Sequence, residues 1–239
     1  MPTHSPHQRI GVLGGMGPVT SANLYQLINH TAQRDYHAEQ DTDFPEIFIY
    51  SMPLTGFDET GFVDKASVLD QLVRGVQKLE SSGSDFIIIP CNTVHHFIDE
   101  MRAAVRIPIL SIIEETIDRV AQADIGTVGL LSSESTRHFN LYEAALTARS
   151  IDTISASDAE QDIINKAILH VMGGAQNSED TVNLKLIAER MIREGAEGIV
   201  LGCTELPLVL AQRDINVRLF SSTQILASAA LARAYQEPS

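Results

Sequence analysis

Cysteine is scarce in this chain: its 239 residues include only two, Cys91 and Cys203. Two cysteines cannot build the disulfide framework of a secreted domain, so free thiols in a reducing cytoplasm are the simpler prediction. The residues before Arg9 lack the apolar core of a signal peptide. No apolar run approaches the ~20 residues of a membrane-spanning helix, so membrane insertion is not expected.

Basic residues are also few, with 17 lysines and arginines against 31 aspartates and glutamates and a formal net charge of −14. Nucleic-acid binding needs a basic footprint, so nucleic acid is not expected as a partner. A small anion is compatible with this charge, because helix N-termini and backbone amides can hold it locally. What is present, 44% hydrophobic and 20% charged residues, is typical of a globular protein.

Short apolar strands alternate with helical patterns along the chain. The predicted strands are residues 10–13, 47–50, 86–89, 128–131 and 198–201. The predicted helices are residues 20–31, 65–80, one after 132–136 that includes Asn140–Tyr142, 180–194, and 222–235, the last packing back on the first half. This alternation predicts parallel sheets with helices on both faces.

The two halves repeat the same order of elements. Eight residues separate Gly83 from Cys91, and eight also separate Gly195 from Cys203, so each cysteine follows an apolar strand at an equivalent place. The repeat predicts an α/β protein with two similar αβα domains and mainly parallel sheets. We assign residues 1–110 plus 219–239 to the first domain and 111–218 to the second.

Four small polar loops follow strand ends, at residues 14–18, 90–93, 132–136 and 202–205. Ligands of open parallel sheets bind beyond the carboxyl ends of the strands, and backbone N–H groups at helix N-termini attract anions. Two domains meeting at these ends would enclose a cleft that binds a carboxylate.

The cysteines in two of these loops suit proton transfer. A helix N-terminus favours the thiolate form, and a thiolate facing a thiol can take a weakly acidic proton from one side and return one from the other. The alternative for each cysteine is a small buried hydrophobe. Their equivalent positions, each with a threonine within two residues, disfavour that alternative.

Other site types fit less well. The loop at residues 14–18 lacks the third glycine and the later acidic residue of a dinucleotide site. His95 and His96 are adjacent and cannot both point at one ion from a regular helix, and no third ligand has suitable spacing, so no metal is expected. Instead, one of the two histidines is expected to line the cleft. Ser133 and Thr136 fit a helix N-cap and a ligand contact equally well.

Three segments together resemble the aspartate/glutamate/hydantoin racemase superfamily, and most closely its aspartate/glutamate racemase branch. They are residues 10–18 (IGVLGGMGP), Cys91-Asn92-Thr93 followed by His95, and residues 202–205 (GCTE). The strand that leads to Ser133 and Thr136 is also similar to the serine/threonine loop of the family's second domain. The resemblance extends from about residue 9 to residue 235.

The resemblance implies an amino-acid racemase that needs no pyridoxal phosphate (PLP) or other cofactor, with its active site in the cleft between two domains related by a pseudo-twofold axis. Cys91 and Cys203 would be its two bases. The residues implied to hold the substrate carboxylate and ammonium are Met16, Asn92, Thr93, Ser133, Thr136 and Thr204. The resemblance also implies a homodimer.

One departure concerns the substrate side chain. Many aspartate racemases carry an arginine soon after the second strand, whereas residues 51–59 hold no basic residue, and Lys166 is no secure counterpart of the family's second-domain lysine. Losing a charge-assisted contact removes ~1.5–3 kcal/mol, enough to change substrate preference. Aspartate or glutamate is the expected substrate. The alternatives are a hydantoin racemase, a maleate-isomerase-like enzyme, and a binding or redox-sensing relative whose cysteines form a disulfide or simply pack.

Overall fold

The computed structural model describes residues 5–58 and 61–237, and these divide into two compact units. Unit 1 holds residues 5–57, 62–112 and 223–237, and unit 2 holds Asp58, Gly61 and residues 113–222. Each unit contains its own parallel sheet, which confirms the predicted α/β class with two similar halves. The predicted boundaries of the folding domains stay a prediction.

Unit 1 is built on a four-stranded sheet in the order β2-β1-β5-β6, in which every neighbouring pair is parallel. The first six strands along the chain are β1 (Ile10–Gly14), β2 (Ile47–Ser51), β3 (Phe57–Asp58), β4 (Gly61–Phe62), β5 (Phe86–Ile88) and β6 (Ile109–Leu110). The short strands β3 and β4 pair only with each other. The first four helices are α1 (Pro18–Tyr36), α2 (Lys65–Ser81), α3 (Ile98–Ala103) and α4 (Ile112–Ala121).

Unit 2 repeats this sheet with the order β10-β9-β7-β8, again parallel throughout. Its strands are β7 (Thr127–Ser132), β8 (Asp152–Ser155), β9 (Gly198–Gly202) and β10 (Arg218–Ser221). The remaining helices are α5 (Glu134–His138), α6 (Glu143–Thr147), α7 (Asp158–Met172), α8 (Ser178–Arg193) and α9 (Ser222–Ala234). None of the helices described here is long and apolar enough to cross a membrane.

Helix α2 illustrates why these sequences fold as they do. The Asp64 side chain caps its first turn by accepting the Ser67 N–H at 3.0 Å, which satisfies one of the free amides of a helix start. Val68, Leu72 and Val76 recur at helical spacing and are fully buried against the sheet, as an amphipathic helix requires. The predicted helix at residues 65–80 is therefore confirmed.

The duplication extends to strand register. Gly11 lies opposite Ile87, and Gly129 lies opposite Ile199. A Cβ atom at Gly11 would come within 3.3 Å of Ile87, and one at Gly129 within 2.6 Å of Ile199. Each isoleucine stands four residues before its cysteine, so the two central strands β5 and β9 deliver Cys91 and Cys203 from equivalent positions.

The carboxylates at the opposite ends of these strands are also duplicated. Asp85, just before β5, accepts the Arg9 N–H through Oδ2 at 2.7 Å. Glu197, just before β9, accepts the Gly126 and Thr127 N–H groups through Oε1 at 2.8 and 3.1 Å. Through these hydrogen bonds, Asp85 connects the start of β5 to the residue before β1, and Glu197 connects the start of β9 to the start of β7.

One predicted helix is wrong. Residues 140–142 do not lie inside a helix, because Asn140 takes a left-handed backbone conformation with φ 53° and separates α5 from α6. Asparagine tolerates that conformation better than most residues, and a helix cannot continue through it. Residues 140–142 (NLY) repeat the sequence of residues 23–25, which lie within α1, but they do not share its helical structure.

The last helix returns to unit 1, as predicted. The Gln224 side chain donates to Thr31 Oγ1 at 3.1 Å, and the Tyr235 ring stacks on Tyr36 with centroids 4.0 Å apart. The backbone N–H groups of His7 and Gln8 donate to the Ala234 carbonyl at 2.7 and 3.1 Å. The first and last described segments of the chain therefore lie side by side.

Candidate active site

The loop after β1 is a tight turn held against the loop after β2. Gly15 has φ 98°, and a Cβ atom there would lie 2.3 Å from the Met52 carbonyl oxygen. The Met52 N–H donates to the Gly14 carbonyl at 2.9 Å, and the Gly15 N–H donates to Ser21 Oγ at 2.9 Å. Since Ser21 occupies the Gly15 amide, this turn uses that N–H internally rather than presenting it to an anion.

Cys91 follows β5 at the carboxyl edge of the unit 1 sheet. It is 8% exposed and belongs to the same apolar cluster as Met16 and Met52. Asn92 and Thr93, which come next, are also buried. Because β1 and β5 are paired neighbours, the turn with Met16 and the loop with Cys91 leave the same edge, as the sequence predicts for this half of the site.

His95 fixes the backbone of the Cys91 loop. Its Nδ1 lies 2.8 Å from the Cys91 carbonyl oxygen, and its Nε2 lies 3.2 Å from the Ile112 nitrogen. A backbone N–H can only donate and a carbonyl can only accept, so Nε2 is the acceptor and Nδ1 carries the proton. The imidazole is neutral with both nitrogens engaged, and it connects the backbone of Cys91 to the start of α4.

His96 points to a different environment from its neighbour. Its ring packs on Phe62 and Phe97, and its Nε2 lies 3.5 Å from Lys65 Nζ. Burial, with the Lys65 charge second, holds the pKa of His96 below its usual value. Which of the two histidines lines a cleft stays a prediction.

In unit 2, Ser133 and Thr136 form the start of α5. Ser133 is the N-cap, its Oγ accepts the Thr136 N–H at 3.3 Å, and the two hydroxyl oxygens are 3.0 Å apart. Both residues are buried. The N-cap interpretation of Ser133 is thus correct, and a ligand contact by either hydroxyl stays a prediction.

Cys203 follows β9 directly, beside the start of the Ser133 loop, because Gly202 pairs with Ser132. Cys203 is 7% exposed, and Thr204 and Glu205 are equally buried. The Cys203 Sγ lies 3.1 Å from Glu205 Oε2, and Thr204 Oγ1 lies 3.1 Å from the same oxygen. The sequence pattern did not identify Glu205 as a site residue, although it is part of the GCTE segment.

Tyr142 is a second residue that the sequence pattern did not identify. Its fully buried ring packs on Gly202, where a Cβ atom would lie 2.9 Å from it. Its hydroxyl hydrogen-bonds to Thr116 and Ser222. Burial raises the pKa of Tyr142 well above its usual value, so the hydroxyl stays protonated and supports the loop of Cys203.

The structure places no basic side chain in the loop after β2. Among residues 51–58 the buried side chain next to the Gly15 turn is that of Met52, while Glu59 lies outside the described residues. Lys166 is exposed on the body of α7. Within residues 5–58 and 61–237, no three histidine, cysteine, aspartate or glutamate side chains group closely enough to hold a metal ion.

Comparison with known proteins gives consistent matches. Residues 13–230 match the model of the Asp/Glu/hydantoin racemase family. The chain is 30% identical over 229 residues to the broad specificity amino-acid racemase RacX of Bacillus subtilis (strain 168), covering 95% of this chain and 99% of RacX.

Solved structures of similar proteins cover the same length. An aspartate racemase homologue from Pyrococcus horikoshii OT3 has a TM-score of 0.82 and 25% identity, with 96% of this chain and 100% of that one covered. The Picrophilus torridus aspartate racemase has a TM-score of 0.83 and 25% identity, with 95% and 94% covered. The similarity therefore includes both units rather than one half alone.

Proposed function

We propose a two-cysteine, two-base mechanism for this chain, which belongs to the Asp/Glu/hydantoin racemase family and is an amino-acid racemase. The observation that carries the proposal is the equivalence of Cys91 and Cys203. Each follows the central strand of its own sheet, four residues beyond an isoleucine that lies opposite a glycine. In the proposal, each thiol acts on one face of the substrate's α-carbon.

In the proposed reaction, one cysteine is a thiolate and the other a thiol. The thiolate takes the α-proton, so the C–H bond breaks, an S–H bond forms and the electron pair stays on carbon. The opposite thiol then gives its proton to the other face of the carbanion and becomes a thiolate. Protons and charge balance between the two sulfurs, so the step needs no PLP or other cofactor.

The substrate's carboxylate and ammonium are proposed to bind in the polar loops around the cysteines. The residues concerned are Met16, Asn92 and Thr93 in unit 1, and Ser133, Thr136 and Thr204 in unit 2. Their support is position: each follows a strand at the carboxyl edge of its sheet, with Thr136 in the first turn of α5 and the other five in the connecting segments. All six residues are buried, and polar contacts are stronger in a site from which water is excluded.

Proton exchange in D₂O tests the mechanism directly. Single enantiomers are incubated with the protein without PLP, and deuterium at the α-carbon and chirality are followed together. Cys91→Ser and Cys203→Ser should each lower racemisation by about 10²-fold or more, the usual contribution of a general acid or base. The Ser150→Ala variant, at an exposed turn, serves as the matched control and should keep full activity.

Full racemisation by either cysteine variant would contradict the two-base proposal. A racemase-inactive native protein whose cysteines form a reversible disulfide would instead favour the redox-sensing alternative. Turnover of hydantoins or maleate, but of no amino acid, would favour the other two enzyme alternatives.

Aspartate and glutamate are the first proposed substrates, and tolerance of uncharged side chains is the second candidate. The Pyrococcus horikoshii and Picrophilus torridus neighbours support the acidic substrates. The second candidate is favoured by Met52 in the loop that lacks a basic anchor, and by RacX, whose name describes broad specificity.

Aspartate and asparagine distinguish the two candidates because they are nearly the same size. A charge-assisted contact of ~1.5–3 kcal/mol would favour aspartate by more than tenfold in kcat/KM. A preference below about tenfold supports broad tolerance. A preference well above that value would mean that a cation elsewhere recognises the side-chain carboxylate.

A homodimer in the cytoplasm completes the proposal. The family resemblance supports the dimer. The cytoplasm is supported by the mechanism, because two reduced thiols need a reducing compartment. Light scattering of the purified protein should give a mass about twice the 26.1 kDa of one chain, and a mass of one chain would contradict the dimer.

A further inference from the structure

The carboxylate of Glu205 is the centre of a small buried group in unit 2. Its Oε2 lies 3.1 Å from Cys203 Sγ and 3.1 Å from Thr204 Oγ1. Glu205 is only 5% exposed. A glutamate buried to this extent is uncommon, because an ionised carboxylate loses its hydration unless other groups bind it.

The contact with sulfur constrains where protons reside. We take Glu205 as ionised; an ionised carboxylate can only accept hydrogen bonds, and Cys203 and Thr204 are then the donors. Cys203 can donate only as a thiol. A thiolate at the same place would put two negative charges 3.1 Å apart, and like charges so close disfavour ionisation of the second group, more strongly in a buried site than in water.

The side chains grouped with Cys91 have a different character. Cys91 shares its cluster with the two methionines Met16 and Met52, and its carbonyl is held by the neutral imidazole of His95. The two halves of the duplicated sheet thus place their cysteines in unlike surroundings. Both cysteines belong to apolar clusters, and one difference between them is the glutamate that contacts the Cys203 sulfur.

We propose that Glu205 is a positioning residue that holds Cys203 as a thiol and aims its S–H, so that Cys203 is the resting proton donor and Cys91 the resting base. The proposal rests on the two-base function above. In the donating step the Cys203 S–H bond breaks, the new C–H bond forms, and the electron pair stays on sulfur. The resulting thiolate, repelled by Glu205, regains a proton from solvent, and Cys91 releases the α-proton it took to solvent, which restores the resting pair.

A titration of the single thiol tests the proposal independently of turnover. In a Cys91→Ser protein, thiolate absorbance in the ultraviolet reports Cys203 alone. Glu205→Gln keeps an acceptor oxygen and the volume of the side chain but removes its charge. The titration midpoint of Cys203 should then fall by about one pH unit or more, the usual effect of removing a like charge in contact.

Glu189→Gln in the same Cys91→Ser protein is the matched control. Glu189 lies on α8 with its side chain 39% exposed, paired with Lys185, so removing its charge should leave the midpoint of Cys203 unchanged. An unchanged or higher midpoint in Glu205→Gln would overturn the proposal. So would a fall of equal size in the control.

Kinetics separate positioning from simple structural support. Enantiomers have equal free energy, so kcat/KM must stay equal in the two directions in every variant, and kcat and KM are compared separately. Glu205→Gln, with Cys91 intact, should change kcat unequally for the two enantiomers, because only one direction uses Cys203 as donor. An equal loss of kcat in both directions, with unchanged KM, would contradict the assigned role.

The two proposals fail in different ways. A native protein that does not racemise, or a Cys203→Ser variant that does, defeats the two-base function. A racemase that depends on both cysteines but whose Cys203 titrates identically with and without Glu205 defeats only the present inference.

Discussion

At the residue scale, the Tyr142 hydroxyl illustrates a buried polar group that depends on its partners. The Tyr142→Phe variant keeps the ring that packs on Gly202 but removes the hydrogen bonds to Thr116 and Ser222. We expect the free energy of unfolding to fall by ~1–3 kcal/mol, because a buried hydrogen-bonding group is left without its partner. Urea unfolding measures this loss. The control is Tyr25→Phe, at a residue that is 46% exposed, which should leave the free energy of unfolding nearly unchanged.

A second residue-scale prediction concerns Gly15. In Gly15→Ala the new Cβ atom would meet the Met52 backbone at 2.3 Å, and the residue would have to keep φ 98°. The backbone on both sides must move, so we expect a loss of at least ~1–3 kcal/mol in stability and a loss of racemase activity. Gly126→Ala, where the nearest atom is 3.5 Å away, is the control. Thermal unfolding that is unchanged in Gly15→Ala would contradict the strain described for this turn.

Individual residues differ in how far sequence predicts them. Cys91 and Cys203 are identifiable because each repeats at a fixed distance from a glycine. Glu205 and Tyr142 are not, because their importance lies in contacts with Cys203 and Gly202 that exist only once the chain has folded. The sequence indicates His95 as a candidate residue of the site. Its neutral tautomer is not predictable, because it depends on the Ile112 amide, which is distant in sequence.

At the element scale, Asp85 just before β5 makes stability depend on pH. The hydrogen bond and charge of Arg9 hold the pKa of Asp85 below its usual value. A carboxyl group whose folded-state pKa is lowered stabilises the fold at pH above its unfolded value of ~3.9, and this contribution is lost as the pH falls through the folded value.

Asp85→Asn should therefore lower the free energy of unfolding slightly at neutral pH. The loss is small because the Arg9 and Asp85 side chains are 47% and 33% exposed, so water screens the attraction between them. The difference from the native protein should disappear as the pH falls below about 4. Urea unfolding across this range measures it, and a difference that grows towards acid pH would contradict the sign. Asp70→Asn, at a carboxylate that is 62% exposed, is the control.

Several elements with strong, continuous patterns were predicted, but α4 and α7 were not, although buried apolar residues recur at helical spacing in α7. β5 and β9 are buried apolar runs, and α2 has regular apolar spacing. The segment at residues 134–147 has helical composition, yet Asn140 divides it. The strands β6, β8 and β10 are short and partly exposed, so their sequences carry little period-two signal.

At the scale of the whole molecule, the repeat is what made the fold predictable. The two sheets have corresponding strand orders because the same order of elements occurs twice in the sequence. Cys91 and Cys203 each follow an isoleucine, Ile87 or Ile199, by four residues, so their positions repeat as well. Substrate preference was less predictable, because it depends on which side chains of many loops converge. A loop after β2 without a basic residue changes that set without changing any element.

The pairing of His7 and Gln8 with Ala234 has a consequence for how the chain could be re-engineered. Two segments that lie together in this way can be joined by a short linker, and the chain can be opened instead at an exposed loop. The exposed segment between α7 and α8 offers such an opening at Gln176. A circular permutant that starts there would carry α8, β9 and Cys203 first and α7 last. The order of the elements along the chain would then differ from that of the native protein. The contacts around both cysteines would stay the same.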